Sequence, residues 1–189
     1  MTEYEEVNFK DEDYMNEPAT KRALFIYDVV SVLIGAVVAV LVIICLFFRV
    51  SSVVGHSMEP TLYENDRLII TPIKNSYSYG DIVIIHREND VSLVKRIIAT
   101  PGDTLDIDFE TGDVTVNGEV LAEEYIAEPT YLRYEDGPKF PIKIPEGYYF
   151  AMGDNRNNSL DSRSGSIGLI NGQYILGKML IDLNNKEAK

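Results

Sequence analysis

Residues 29–48, VVSVLIGAVVAVLVIICLFF, carry no charge and nothing more polar than Ser31. At 1.5 Å per residue this run makes a helix about 30 Å long, the thickness of a bilayer's hydrocarbon core. The helix of a soluble domain would carry a polar stripe, and this run has none. It predicts one transmembrane helix. The 28 residues before it, and the absence of a small-x-small cleavage site in the FFRVSSVV that follows, distinguish it from a cleaved secretory peptide. Lys10, Lys21 and Arg22 flank it on the N-terminal side, against Arg49 and Arg67 on the other. That asymmetry favours a cytoplasmic N-terminus and an extracytoplasmic residue 49–189 domain.

Residues 1–28 hold eight acids against three bases, with little apolar periodicity, and are expected to form a largely disordered cytoplasmic tail. The whole chain has a net charge of −13. Nucleic acid is excluded as a partner, because phosphate binding needs clustered Lys and Arg. Cys45 is the only cysteine and lies in the span; with His56 and His86 the only histidines, no zinc site is expected. No cofactor is implied, and no feature sets an oligomeric state.

After the span the pattern changes to short β-like runs. DRLIIT (66–71), GDIVIIH (80–86), SLVKRIIA (92–99) and QYILGKMLIDL (173–183) are rich in Val, Ile, Leu and Tyr and bounded by turn residues. They predict a mostly β domain, a barrel or sandwich of short strands. Between about residues 106 and 143 the long apolar runs stop and acids, tyrosines and prolines increase, which reads as a small β cap inserted in the domain. Asn117-Gly118 marks a tight hairpin turn within it.

Three features carry chemistry. Ser57 sits in a turn, VVGHSMEPTL, where a serine is ordinary unless something takes its proton. His56 is adjacent and, in an extended segment, points to the opposite face; His86 reads as a solvated strand end. Lys95 is more unusual. Strand alternation puts Leu93, Lys95, Ile97 and Ala99 on one face and Val94, Arg96 and Ile98 on the other, so two cations occupy opposite faces of an apolar strand. A lysine buried there is driven toward its neutral form and becomes a usable base, although a snorkelling lysine would satisfy the same pattern. The third feature is AMGDNRNNSLDSRSGSIG (151–168), a loop with Asp154, Arg156, Asp161 and Arg163 among hydroxyls and amides. It lacks the glycine and glutamate positions of a calcium loop, and its polar groups suit turns and salt bridges or the support of a serine-lysine site. Asn157 opens a glycosylation-type sequon inside this loop, where chance is an equal explanation.

GHSMEPTL, GDIVII, KRIIATPGD and GDNRNNSLDSR follow one another in that order behind a span, and together they resemble bacterial type I signal peptidases. The resemblance covers about 35 residues. It implies Ser57 as nucleophile, Lys95 as a buried neutral general base, and Ser159 as the serine that hydrogen-bonds and orients the lysine amine. It further implies Asp161 with Arg163, and Arg96 with Asp154, as supporting ion pairs, and Met58 and Pro60 as residues that shape the nucleophile turn. Some relatives have a serine two residues before the nucleophile that helps stabilise the oxyanion; here that position is Gly55. A hole built on the Ser57 N–H with a further main-chain donor or water would take its place. The implied activity is cleavage of signal peptides from secreted preproteins after small residues, in shallow apolar pockets near Ser57, with the bilayer and the preprotein as partners. Two other readings are a self-cleaving repressor-type protease, disfavoured by the span, and an inactive anchored β domain assisting surface-protein or pilus assembly.

Overall fold

The structure, a computed structural model, describes residues 18–72, 76–87 and 92–184, in two compact units, residues 1–46 and 47–189. The described residues of the first unit form a helix, α1, Pro18–Phe47. It starts eleven residues before the apolar run, so residues 18–28 are helix and not the disordered tail the sequence suggested. The local sequence accounts for this: proline suits the first helical turn, and Ala19, Lys21, Arg22, Ala23 and Leu24 are good helix formers. The remainder of the expected tail lies outside the described residues. Residues 20–47 are long and apolar enough to cross a membrane, and none of their side chains is buried.

The described residues of the second unit form eleven strands. They are β1 (Arg49–Ser52), β2 (Arg67–Thr71), β3 (Ile82–Ile85), β4 (Leu93–Ala99), β5 (Thr104–Ile107), β6 (Val114–Val116), β7 (Glu119–Val120), β8 (Ile142–Lys143), β9 (Tyr148–Met152), β10 (Ile170–Asn171) and β11 (Ile175–Asp182). A seven-stranded antiparallel sheet has the order β1-β2-β11-β3-β4-β9-β10, and a four-stranded one has the order β7-β6-β5-β8. The domain is mostly β, as its short apolar runs predict. The smaller sheet is inserted between β4 and β9 and extends from Thr104 to Lys143. Its β6–β7 turn uses Asn117 at φ 55° and Gly118 at φ 86°, the left-handed pair that a two-residue hairpin requires.

β3 reads IVII without alternation because both its faces are covered. Ile82 and Ile84 pack with Val94, Val53, Met58, Leu62, Leu68 and Ile70, whereas Val83 and Ile85 pack with Ile97, Ala151, Ile170 and Ile175. A third cluster joins Ile98, Phe150 and Met152 of the larger sheet to Leu105, Ile107, Val114 and Ile144 of the smaller. Each such buried aliphatic side chain contributes roughly 1.5–3 kcal/mol, so the inserted sheet is firmly attached to the core. Pairing between β4 and β9 shifts register between Ile97 and Ala99, and Ala99 joins Ile98 in the third cluster. Ala99 therefore does not share the Lys95 face. Such a shift sets an extra residue against the partner strand and breaks simple alternation.

Candidate active site

The turn between β1 and β2 carries Ser57. Met58 and Leu62, both buried, insert into the core, and Leu62 N–H donates to the Met58 carbonyl at 2.9 Å, closing a tight turn around Pro60. Asn65 N–H donates to the Val53 carbonyl at 2.9 Å and closes the base. Gly55 has φ +81° with open space where a Cβ would be. Backbone conformation, not crowding, favours glycine there, and any side chain at that position would be strained. The Ser57 N–H makes no hydrogen bond among the described residues and is available as an oxyanion donor.

β4 brings Lys95 beneath this turn. Its amine lies 2.7 Å from Ser57 Oγ and donates to the Val94 carbonyl at 3.0 Å, while the residue is only 3% exposed. No carboxylate lies within ion-pair distance of it among the described residues. Burial pushes the amine down from 10.5 to about 8, opposed by the Asp161 charge and assisted by Arg163. At pH 7.4 roughly a fifth of such amines are neutral, against about one in a thousand for an ordinary lysine.

Arg96, next along β4, is held differently. It donates to both Asp154 oxygens, at 2.8 and 2.6 Å, and to the Gly80 carbonyl at 2.9 Å. Asp154 also accepts from Thr61 Oγ1 at 2.6 Å, which ties the Ser57 turn to the loop after β9. Asn155 adds two ties, its N–H to the Ser57 carbonyl and its Nδ2 to the His56 carbonyl, each 3.0 Å.

The rest of the loop is organised around Asp161, which is fully buried. It accepts from Arg163 Nε at 2.9 Å, Arg163 Nη2 at 2.8 Å, Gly153 N–H at 3.0 Å and Ser159 Oγ at 2.7 Å. Ser159 thus donates its hydrogen bond to Asp161; no hydrogen bond joins it to Lys95, the contact the resemblance implies. A neutral amine has one N–H left after bonding Ser57 Oγ and the Val94 carbonyl, and Ser159 Oγ retains acceptor capacity. Gly153 separates the two serines: a Cβ on it would lie 2.3 Å from both Ser159 Oγ and the Ser57 carbonyl oxygen.

His56 and His86 take no part. His56 is exposed, with Nδ1 2.8 Å from Glu59 Oε1, and that hydrogen bond raises its proton affinity; His86 is exposed at the end of β3. The two larger cavities described, about 450 and 460 Å³, are lined around Tyr174 and Tyr77 and include neither Ser57 nor Lys95. Beneath the Ser57 turn lies a buried apolar cluster that includes Val53, Met58, Leu62 and Val94.

Sequence reasoning missed the return segment of the insertion. Glu123 accepts two 2.7 Å bonds from Arg156, and Asn157 Oδ1 accepts from the N–H groups of Tyr131 and Leu132, at 3.0 and 2.9 Å. Tyr134 donates to the Ser159 carbonyl at 2.8 Å. A signal was present: the loop after β9 holds Arg156 and Arg163 with Asp154 and Asp161, and once Asp154 is assigned to Arg96 one arginine of the loop has no acid within it.

The family model described as signal peptidase, peptidase S26, matches residues 26–183. Signal peptidase I of Bacillus licheniformis is 38% identical over 170 residues, spanning 85% of this chain and 90% of that protein. Signal peptidase I P of Bacillus subtilis subsp. natto is 36% identical over 161 residues, 80% of this chain and 85% of that protein. A probable signal peptidase I-2 of Synechocystis is 39% identical over 137 residues, 67% of this chain and 59% of that protein. A match that runs from the apolar helix to the last strand, at these identities, leaves one conclusion: the chain belongs to the type I signal peptidases of peptidase family S26.

Proposed function

We propose that this membrane-anchored peptidase cleaves signal peptides from preproteins with Ser57 as nucleophile and Lys95 as general base. The observation that carries the reading is an amine without a carboxylate partner, buried and 2.7 Å from a serine hydroxyl. Neutral Lys95 takes the Ser57 proton as Oγ attacks the scissile carbonyl, and the oxyanion accepts from the Ser57 N–H. The resulting ammonium gives its proton to the leaving amine, leaving a signal peptide esterified to Ser57. Lys95, neutral again, takes a proton from water as its oxygen attacks the ester, and the ammonium returns that proton to Ser57 Oγ as the signal peptide leaves with a free carboxylate. Asp161 with Arg163, and Asp154 with Arg96, hold the loop and the turn in register, while Met58 and Pro60 shape the turn. With Gly55 carrying no hydroxyl, the second oxyanion donor is water or main chain.

Residues 49–189 act outside the cytoplasmic membrane with the N-terminus inside, following the basic residues that flank the span. Small residues are expected before the cut, since a hydrophobic pocket discriminates mainly by size. The test is cleavage of a labelled preprotein in detergent by the full chain and by Ser57→Ala, with mass spectrometry of the products. One cut after a small-x-small sequence, absent in the variant, is the expected result. Equal cleavage by the variant, or none by folded wild type on several preproteins, would sink the reading.

A further inference from the structure

The insertion between β4 and β9 contributes a third buried ion pair that neither supporting pair of the site requires. Arg156 is completely buried and Glu123, its partner from the insertion, nearly so, with side-chain exposures of 0% and 6%. Arg156 is built into the active-site loop at both ends. Its Nε donates to the Gly153 carbonyl at 3.1 Å, and its own carbonyl accepts from Arg163 Nη2 at 2.6 Å. Gly153 is the residue that separates Ser57 from Ser159, and Arg163 is bound to Asp161, so Arg156 spans the loop from one side of the dyad to the other.

Tyr125 completes the arrangement. Its ring centroid lies 4.0 Å from the Arg96 guanidinium and 5.8 Å from that of Arg156, and its hydroxyl donates to Glu123 Oε1 at 2.8 Å. One tyrosine of the insertion therefore lies between the cation beside the Ser57 turn and the cation of the Ser159 loop. Thr130 Oγ1 takes a further bond from Arg156 at 3.0 Å. A buried guanidinium that loses its only carboxylate is costly and must move or draw in water, and its own hydrogen bonds to Gly153 and Arg163 move with it.

We infer that Glu123, with Tyr125, is a positioning residue for the Ser57–Lys95 pair, acting through Arg156 so that the inserted segment sets the geometry of the dyad. The inference rests on the serine-lysine reading above. Glu123 touches no reacting atom, so its removal is felt in the chemical step and not in substrate binding.

The test uses the full chain in detergent with a labelled preprotein, measuring kcat, KM and thermal melting together for Glu123→Gln, Arg156→Gln, the double variant and Tyr125→Phe. Glu123→Gln is expected to lower kcat by about 10- to 100-fold with KM within about twofold, the scale of a displacement near 1 Å in a reacting pair. The double variant replaces the ion pair with two neutral amides and is expected to be no worse than Glu123→Gln alone, because both act through one link. Tyr125→Phe keeps the ring and removes the hydroxyl that donates to Glu123 and bonds the exposed Tyr79 hydroxyl at 3.1 Å, with an expected drop in kcat of about threefold; if Glu123→Gln fails to fold, this variant decides. A wild-type kcat in the folded variants, a loss that falls on KM instead, or single-variant losses that multiply in the double variant would overturn the inference. Ser57→Ala in the same assay separates the two claims: cleavage that survives it refutes the dyad, whatever Glu123 does.

Discussion

Lys95 and Arg96 are neighbours on β4, both cationic residues, both buried, and their surroundings give them opposite chemistry. Arg96 has a carboxylate bound twice, a carbonyl and an aromatic face. Lys95 has a carbonyl and a hydroxyl, and its nearest charges offset one another. The difference shows that burial alone does not make a reactive group; burial without a counter-charge does. A guanidinium cannot give up its proton under these conditions, so it must be paired, whereas an amine can be neutralised and put to use.

Replacing Lys95 tests this contrast most severely. Lys95→Met should reduce preprotein cleavage by on the order of 10⁴-fold or more, because the base is lost with the fold retained. The same variant should melt higher than wild type at pH 7. Lowering the amine from 10.5 to about 8 costs the charged folded state about 3 kcal/mol, at ~1.4 kcal/mol for each tenfold change in proton affinity. A lower melting temperature would mean that Lys95 is paired after all.

Gly153→Ala should come next, with a loss of about 100-fold or more in kcat, since its methyl would force Ser159 and the Ser57 carbonyl apart. Wild-type turnover in a folded variant would show that the loop has slack. Asp154→Asn reverses the pattern seen at Lys95. It strands Arg96 and should lower stability by about 3–5 kcal/mol in chemical denaturation, with the folded fraction keeping turnover within about tenfold. A melting temperature equal to wild type would break the comparison from the arginine side.

The pH dependence follows from the same pair. The neutral amine is the active form, so kcat/KM should rise about tenfold per pH unit up to about 8 and then level off. Stability changes in a different window. Between about 8 and 10.5 the unfolded chain binds the proton that folded Lys95 has released, so stability rises with pH there, and below 8 the penalty is constant. A plateau that begins well above 9 would assign the base to an unshifted lysine. His56→Gln should have the smallest effect, within about twofold, because its hydrogen bond to Glu59 is exposed; a larger change would bring His56 into the chemistry.

Much of this was legible in the sequence where one residue type departs from its surroundings. The β-branched runs located β2, β3, β4 and β11, Asn117-Gly118 located a hairpin turn, and a lysine in an apolar strand identified Lys95. Elements that depend on tertiary pairing were not legible. β8 and β10 are two residues each, and β1, RVSS, has no apolar alternation; they exist because a neighbouring strand offers a register. Glu123 was hidden for a related reason. Its partner is 33 residues away, and in a stretch crowded with acids nothing local distinguishes the one that becomes buried. The extension of α1 to Pro18 was hidden because hydropathy marks where a helix is apolar, not where its hydrogen bonding begins.

β4 and β9 are adjacent antiparallel strands, with Arg96 opposite Met152. Topologically they form a single hairpin, and the residues between them, inserted sheet included, are its loop. Doubling the length of a flexible loop adds only about 0.6 kcal/mol to the entropy of closing it. The tip of this loop can therefore lengthen at little cost, provided that Leu105, Ile107 and Val114 keep their core contacts and residues 123–134 still return along the active-site wall. A protein engineer has the same freedom: the β6–β7 turn is a place to graft a new module while the stretch from Glu123 to Tyr134 is left untouched.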